Sequence, residues 1–461
     1  MTRLLLMGLL LSQVTLSRAH YAPPPLKERF SPKKPVSFTN GKSKQDFSAR
    51  LQPAVFAVTM VMIHDVVNPP AASRFYTYCL LGAHEIVSHH QQSVVSPARF
   101  VRDFKAVDLD ISKPYDYQIA ALFCILETGR LILPSGSMLA EEQEKLLTQL
   151  KSDHYSEPVI QQSVAVAQAV AKHVLAYAAV DNYTKLSARL RYRPTKTEGN
   201  WYPTPPGYIE AVEPHWKTIR PMLLDSCTQF KPKPPVAFSK DTSSAFYKLA
   251  FDVYQVSKKL TADQRFIASY WDCNPFAINT SGHMAIGFKK ISPGGHWMNI
   301  TSLAATKARL PFDKAVLVQS VVAMTLMDAF ISCWDEKYRS NRIRPETAIN
   351  RHINPRWQPL LQTPPFPEYT SGHSVISTAV AELLTYLIGP DFAFTDTTEV
   401  IFDLPERSFT SFRQAAGEAA ISRLYGGIHY RDAIENGQEQ GKSIGTFIVK
   451  KLRKAGIKPS L

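Results

Sequence analysis

Residues 312–345 read FDKAVLVQSVVAMTLMDAFISCWDEKYRSNRIRP, an apolar run that ends in a cluster of cations. The stretch from Val316 to Trp334 is too long for a strand and carries Gln319 and Asp328 at its heart. A lipid-facing span rarely tolerates such groups, so the pattern predicts a helix buried on all sides within a helical core. Lys337 and Arg344 stand seven positions apart. Seven residues are almost two turns, which puts both cations on one face, about 20 degrees apart, if the helix persists that far. Pro345 then stops it, because proline cannot donate and disfavours the α region just before it. Two cations on one face can grip one anion together.

Working outward, apolar residues recur at helical spacing through Val55–Val66, Ala71–Ser88, Tyr117–Leu131, Glu141–Leu150 and Pro158–Tyr177. The same period returns in Ser243–Trp271, Phe312–Lys337, His373–Leu387, Phe409–Leu424 and Gln438–Leu452. Period-two strand patterns are few. The expected fold is all-α, two packed helical bundles with Pro-rich connecting loops. The expected divisions are a signal peptide at 1–19, a Pro/Lys-rich leader at 20–50 and an N-terminal helical region at 51–192. A connector dense in proline and aromatics follows at 193–240, then a C-terminal helical region at 241–461 that carries the chemistry.

The N-terminus has the three parts of an export signal: Arg3, the apolar run Leu4–Leu11, and the small residues of Ser17-Arg18-Ala19 before a cut near His20. A secreted or periplasmic protein is therefore expected. The 461 residues, 45% apolar and 20% charged, are ample for a large core and exclude disorder. Five scattered cysteines (Cys79, Cys124, Cys227, Cys273, Cys333) leave room for a bridge or two but form no disulfide framework or paired metal motif. Sequons begin at Asn182, Asn279 and Asn299. The net charge of +14, or +12 once Arg3 and Arg18 are removed, is dispersed along the chain. Nucleic acid is thus a poor partner, and a small anion or a merely solvated surface suits the charge better. The remaining apolar runs carry polar residues, so no membrane span is expected after signal cleavage. The oligomeric state is not readable.

Two more clusters complete the anion chemistry. Thr370-Ser371-Gly372-His373 precedes the helical pattern Val375, Ile376, Ala379, Val380, Leu383 and Leu384. A hydroxyl, a glycine amide and an imidazole at a helix N-terminus form a natural anion cradle. Arg423 and His429 stand six apart in SRLYGGIHYR, residues 422–431. Together these groups can hold a tetrahedral or trigonal-bipyramidal oxyanion and move protons around it.

Lys337-x6-Arg344-Pro345, Ser371-Gly372-His373 and Ser422-Arg423-x5-His429, in that order, resemble the signature of the vanadium-dependent haloperoxidase and type-2 phosphatidic acid phosphatase superfamily. The resemblance spans residues 260–445; the N-terminal half matches only in helical character and in the stretch Asp65–Arg74. Trp334, Phe366, Tyr270-Trp271-Asp272 and Gly295-His296-Trp297-Met298-Asn299 are similar to the soluble chloroperoxidase-like branch. The resemblance implies that His429 is the metal ligand to vanadate, or the nucleophile if phosphate esters are the substrate. Lys337, Arg344, Ser371, Gly372 and Arg423 would neutralise the oxyanion, and His373 would be the acid–base, titrating near neutral pH. Trp334 and Phe366 would wall the halide side. Vanadate would serve as a Lewis acid that activates hydrogen peroxide toward halide, with bromide and iodide oxidised most readily and chloride the hardest case. Two other readings use the same pocket: a secreted acid phosphatase acting on phosphate esters, and an oxyanion-binding surface protein of weak activity.

Two positions depart from the pattern. Thr370 replaces the usual proline before SGH, and Ala433 stands where the family often has an acid, four residues after His429. Asp432 and Asp272 are the candidates for the missing partner that would fix the His429 ring. Two look-alike motifs are set aside. Thr280-Ser281-Gly282-His283 lacks the apolar helix that should follow, and His84 and His89 are five apart where a zinc helix needs four.

Overall fold

The computed structural model describes residues 47–109, 113–195 and 197–461. The expected signal peptide lies outside the described residues, as does nearly all of the leader. The described residues, from Phe47 to Leu461, form one compact unit.

Five helices come first: α1 (Ser48–His64), α2 (Pro69–His90), α3 (Tyr117–Ile132), α4 (Leu139–Ser152) and α5 (Glu157–Ala179). The start of α2 is written locally. Asn68 Oδ1 accepts the Ala71 amide at 2.9 Å, and Pro69 and Pro70 occupy the first positions, where no donor is needed. Asp116 caps α3 in the same way, accepting from the Gln118 and Ile119 amides. Among its described residues the proline-rich connector holds no α-helix, yet Trp201 and Trp216 are fully buried. It is therefore part of the packed structure.

The second half contains α6 (Ala245–Lys258), α7 (Ala262–Tyr270), α8 (Pro293–Lys307), α9 (Phe312–Ser340), α10 (Pro345–His352), α11 (Gly372–Leu387), α12 (Phe412–Tyr425) and α13 (Arg431–Ala455). Two short antiparallel hairpins are the only strands among the described residues: β1 (Ile278–Ser281) with β2 (Met284–Gly287), and β3 (Phe394–Asp396) with β4 (Arg407–Phe409). The fold is all-α, as the periodicity predicts. One apolar core runs from Phe47 to Ile457 and joins both halves, with α9 packed on α2 and on α11.

Helix α9 is long and apolar enough to cross a membrane, but its apolar window is wholly buried in protein. Asp328 and Gln319 each find a partner inside the protein. Asp328 accepts the amides of Met222, Leu223 and Leu224 at 2.6–2.8 Å, tying the connector down, and Gln319 donates to Ser302 at 2.6 Å.

Several sequence expectations change in detail. The period at Ser243–Trp271 is two helices, broken before a capping box in which Thr261 and Gln264 satisfy each other's backbone amides. Helix α8 was not anticipated, although Ser292 caps it and Pro293 opens it. The α9 helix ends at Ser340, where Asn341 turns left-handed (φ 47°), and Pro345 begins α10 rather than stopping α9. Lys337 and Arg344 therefore do not share a helix face; a tight turn brings them together. All five cysteines are free. Gly282 turns the β1–β2 hairpin and His283 is exposed, so no helix N-terminus follows TSGH there. His84 bonds to the Val95 carbonyl and His89 to Glu85.

Helices α11 and α13 touch closely, and glycine makes that possible. A Cβ on Gly441 would sit 2.3 Å from the Val375 carbonyl oxygen, and one on Gly445 would sit 2.7 Å from that of Ala379. The N-terminus of α11, with Ser371, Gly372 and His373, is positioned by this contact.

Candidate active site

Each cation of the three motifs is buried and tethered by main-chain carbonyls. Lys337 Nζ, at the end of α9, donates to the carbonyls of Pro367 (3.1 Å), Glu368 (3.1 Å) and Thr370 (2.5 Å). Arg344, the residue before α10, donates to Phe366 O (3.0 Å) and Ile428 O (2.8 Å). Arg423, in the last turn of α12, donates to Trp271 O (2.7 Å) and Ala268 O (3.3 Å). Among the described residues none of the three pairs with a carboxylate within ion-pair distance. The ring is thus a concentration of positive charge with fixed orientation and low water access.

His429 stands in the middle of it. Its Nδ1 lies 2.8 Å from Glu368 Oε1, and Arg344 Nη1 approaches its Nε2 at 3.2 Å. A carboxylate at Nδ1 fixes the hydrogen there, so Nε2 carries the lone pair and faces the guanidinium. Glu368 is held in turn: its Oε1 also accepts the Tyr430 amide at 3.0 Å, and its Oε2 accepts from Arg342 Nε at 2.7 Å. Arg342 reaches on to Asp432 through two bonds of 2.6 and 2.8 Å.

Glu368 is the partner that sequence reading missed. Asp432 stands one step further out, behind Arg342, and Asp272 pairs with Lys290 at 2.5 Å and faces Arg423 electrostatically. The only signal for Glu368 was its place in PFPEYTSGH, three residues before Ser371. Thr370, the other departure, is also put to use: its carbonyl accepts from Lys337 and its hydroxyl donates to Gln440 at 2.7 Å.

Ser371 is the N-cap of α11, its Oγ accepting the Ser374 amide at 3.3 Å. The space that Gly372 leaves for a side chain opens toward Trp334, 3.8 Å from where a Cβ would be. Gly372, His373, Arg423 and His429 line one cavity with Trp334 and Phe366, whose rings are 4.9 Å apart. Lys337 Nζ is 5.1 Å from the Phe366 ring centre and 5.7 Å from that of Trp334, so the aromatic wall borders the cations directly. Four of the seven motif residues thus line the cavity with the two aromatics, while Lys337 stands behind the aromatic wall, Arg344 touches His429 and Ser371 adjoins Gly372 as the N-cap of α11.

Burial sets the protonation of these groups. It pushes Lys337 down to about 7, with Arg344 and Arg342 adding to the fall, and Arg344 down to about 10. His429 is held well below 6.5 by burial and then by Arg344, Lys337 and Arg423. Burial, Arg423 and His429 do the same to His373. The near-neutral titration expected of His373 is therefore displaced: it is a neutral imidazole that can take up a proton, and an anion beside it would draw its pKa upward.

The family profile of the VCPO second helical-bundle domain matches residues 318–456. Among solved structures, a bacterial vanadium-dependent iodoperoxidase is 42% identical, with a TM-score of 0.84 over 89% of this chain and 98% of that one. The chain belongs to the vanadium-dependent haloperoxidase family. The holo and apo forms of a bacterial vanadium-dependent chloroperoxidase share the fold at 13% identity, with TM-scores of 0.63 and 0.62. They cover 91% and 84% of this chain, and 99% and 95% of their own. No curated protein sequence gives a significant match.

The chemistry of the donor set suits the family's oxyanion. Arg344 Nη2 and His373 Nε2 are fully buried and have no hydrogen-bond partner, a costly condition that an oxyanion between them relieves. Three cations without a buried carboxylate partner ask for the same ligand, and vanadium-dependent haloperoxidases carry vanadate.

Proposed function

We propose that this haloperoxidase oxidises iodide and bromide ahead of chloride, with hydrogen peroxide, at vanadate held by His429, and that it is an exported enzyme. The observation that carries the site assignment is the His429 ring: Nδ1 is committed to Glu368, which leaves Nε2 as a lone pair inside a ring of cations. A metal ligand needs that tautomer and that partner. Lys337, Arg344 and Arg423 balance the charge of the oxyanion, and the Ser371 hydroxyl and Gly372 amide complete the cradle at the start of α11. When bound, vanadate supplies a Lewis acid that makes hydrogen peroxide attackable by halide. His373, neutral at the outset, accepts a proton from incoming peroxide and returns it to the product side. Trp334 and Phe366 exclude water from the halide face, which strengthens the field of the cations there.

Iodide preference draws support from the likeness to the iodoperoxidase, and export from Arg3, Leu4–Leu11 and Ser17-Arg18-Ala19. The test is purified protein, with and without orthovanadate, assayed with iodide, bromide and chloride. Vanadate-dependent turnover with kcat/KM falling in that order is expected. Activity that is indifferent to vanadate, or hydrolysis of nitrophenyl phosphate exceeding halide oxidation, overturns the reading. Expression with the full N-terminus should yield a product in the medium or periplasm that begins near His20, read by intact mass.

A further inference from the structure

Beside the oxyanion cavity, and outside the machinery just described, lies a second cluster of chemically committed side chains. His296 on α8 is fully buried and stacks on Trp271, ring centres 4.6 Å apart and planes 17° from parallel. Its Nε2 is 2.6 Å from Asp396 Oδ2. Asp396 is itself pinned, its Oδ1 accepting from the amide and hydroxyl of Thr398 at 2.9 and 2.5 Å. Its Nδ1 faces Cys273 Sγ (3.5 Å) and Glu399 Oε1 (3.1 Å). Without a metal, burial is outweighed by Asp396, which holds the ring well above its ordinary pKa as an imidazolium, and a bound cation would take the place of the Nδ1 proton. Two acceptors and a thiol then converge on one point. Glu399 is 4% exposed, and its Oε1 has no well-aligned hydrogen bond, only the His296 Nδ1 contact.

We infer that Cys273, His296 and Glu399 form a binding site for a borderline divalent cation, zinc by preference. The three ligand atoms lie within 4.8 Å of one another. Tetrahedral zinc with ordinary bond lengths holds nitrogen and oxygen about 3.4 Å apart, and nitrogen and sulfur about 3.6 Å apart. The observed 3.1 and 3.5 Å are already close to both. The Asp396–His296 pair supplies the carboxylate that metal-bound histidines characteristically donate to, fixing the ring and raising its basicity. A thiolate, an imidazole and a carboxylate are a zinc-type set, too soft for magnesium or calcium. Binding releases the Cys273 thiol proton and the His296 Nδ1 proton to solvent and leaves three protein ligands with one coordination position open. Cys273 also borders the cavity that His373 and His429 line.

The cation would fasten three segments to one another: the 271–273 turn, α8 and the 396–402 segment after β3. Trp271 is the link to the oxyanion site, because its carbonyl accepts from Arg423 and its ring lies on His296. The metal is thus a positioning element for Arg423, with no part in the redox step. A competing arrangement satisfies some of the same atoms: an imidazolium between the two carboxylates, with the thiol idle. The two differ in metal content and in the role of sulfur.

The full chain, incubated with Zn2+ and desalted, should retain one zinc per protein by plasma mass spectrometry. Cys273→Ser and Glu399→Gln, both close to isosteric, should lower retention at least tenfold while the fold is kept by circular dichroism. Loading with Co2+ should give the intense visible bands of a tetrahedral site and a thiolate-to-cobalt absorption that Cys273→Ser abolishes. Vanadate affinity measured on zinc-loaded protein against chelator-stripped protein should fall on stripping. Less than a tenth of a zinc per chain after loading overturns the proposal, as does one zinc per chain that survives in both variants. Halide oxidation by zinc-loaded protein with saturating orthovanadate tests the vanadate site separately, because zinc content is read without it.

Discussion

At the scale of single residues, the His429 ring and its partner decide whether vanadate is held. His429→Ala should abolish vanadate binding and halide oxidation together. His373→Ala should leave vanadate binding within a few-fold of wild type and cut kcat by roughly 10²–10⁴, the range for a lost general acid–base. Peroxidase activity surviving in His429→Ala would refute the assignment of the ligand. Glu368→Gln keeps the volume and the acceptor for the Tyr430 amide but removes the charge that fixes the ring, so vanadate affinity should drop roughly 10–100-fold. Asp432→Asn, one bond further away, should cost less; equal losses in the two variants would show that Arg342 rather than Glu368 organises the site. Replacing Phe366 with histidine wets the halide wall and should reduce chloride oxidation more than bromide oxidation. Loss in equal proportion for both halides would mean that the wall does not tune the reaction.

Among the elements, the α11–α13 contact controls the cradle. Gly441→Ala places a methyl 2.3 Å from the Val375 carbonyl, a distance that neither backbone can ignore. Overpacking of this kind costs about 1–3 kcal/mol. Because α11 must shift, and Ser371, Gly372 and His373 with it, kcat/KM should fall alongside the melting temperature. Gly417, where an added methyl meets nothing within 4 Å, is the control: Ala there should leave kcat/KM unchanged and, being the better helix former, hold or raise the melting temperature. Much of this level was legible in the sequence. The all-round apolar α9, the start of α11 and the three spaced motifs identify themselves through period and residue type. What escaped notice did so for physical reasons. The Thr261–Gln264 capping box is a local signal hidden inside one continuous apolar period, and Pro345 is equally good at ending a helix and at opening one. Glu368 is 61 residues from His429, and a partnership across that separation is set by packing alone.

For the molecule as a whole, acid should act through buried neutral histidine. His84 lies fully inside the first half, and burial pushes its pKa down to about 4. The folded protein therefore binds fewer protons than the unfolded chain between that value and about 6.5. The stability tied to His84 is complete above 6.5 and is lost as pH falls toward 4, by about 3 kcal/mol in all at roughly 1.4 kcal/mol per unit. His84→Gln, which retains a donor for the Val95 carbonyl, should flatten the dependence of the denaturation midpoint on pH over that window. An unchanged slope would place the acid sensitivity elsewhere. Lys337 gives the binding counterpart. With its pKa at about 7, the ammonium that an oxyanion needs is fully present below that pH and is progressively lost above it. Vanadate affinity should weaken by up to tenfold per unit above pH 7 from this group, read against the separately known ionisation of vanadate itself.

The carbonyl tethers on Lys337, Arg344 and Arg423 have a calorimetric consequence. Freezing a long cationic side chain on ligand binding ordinarily costs about 0.5–1.5 kcal/mol each. Here that entropy is lost during folding, and little apolar surface changes hands when the anion arrives. Titration with orthovanadate should accordingly show a heat-capacity change near zero, and inorganic phosphate, of similar shape and charge, should compete for the same heat.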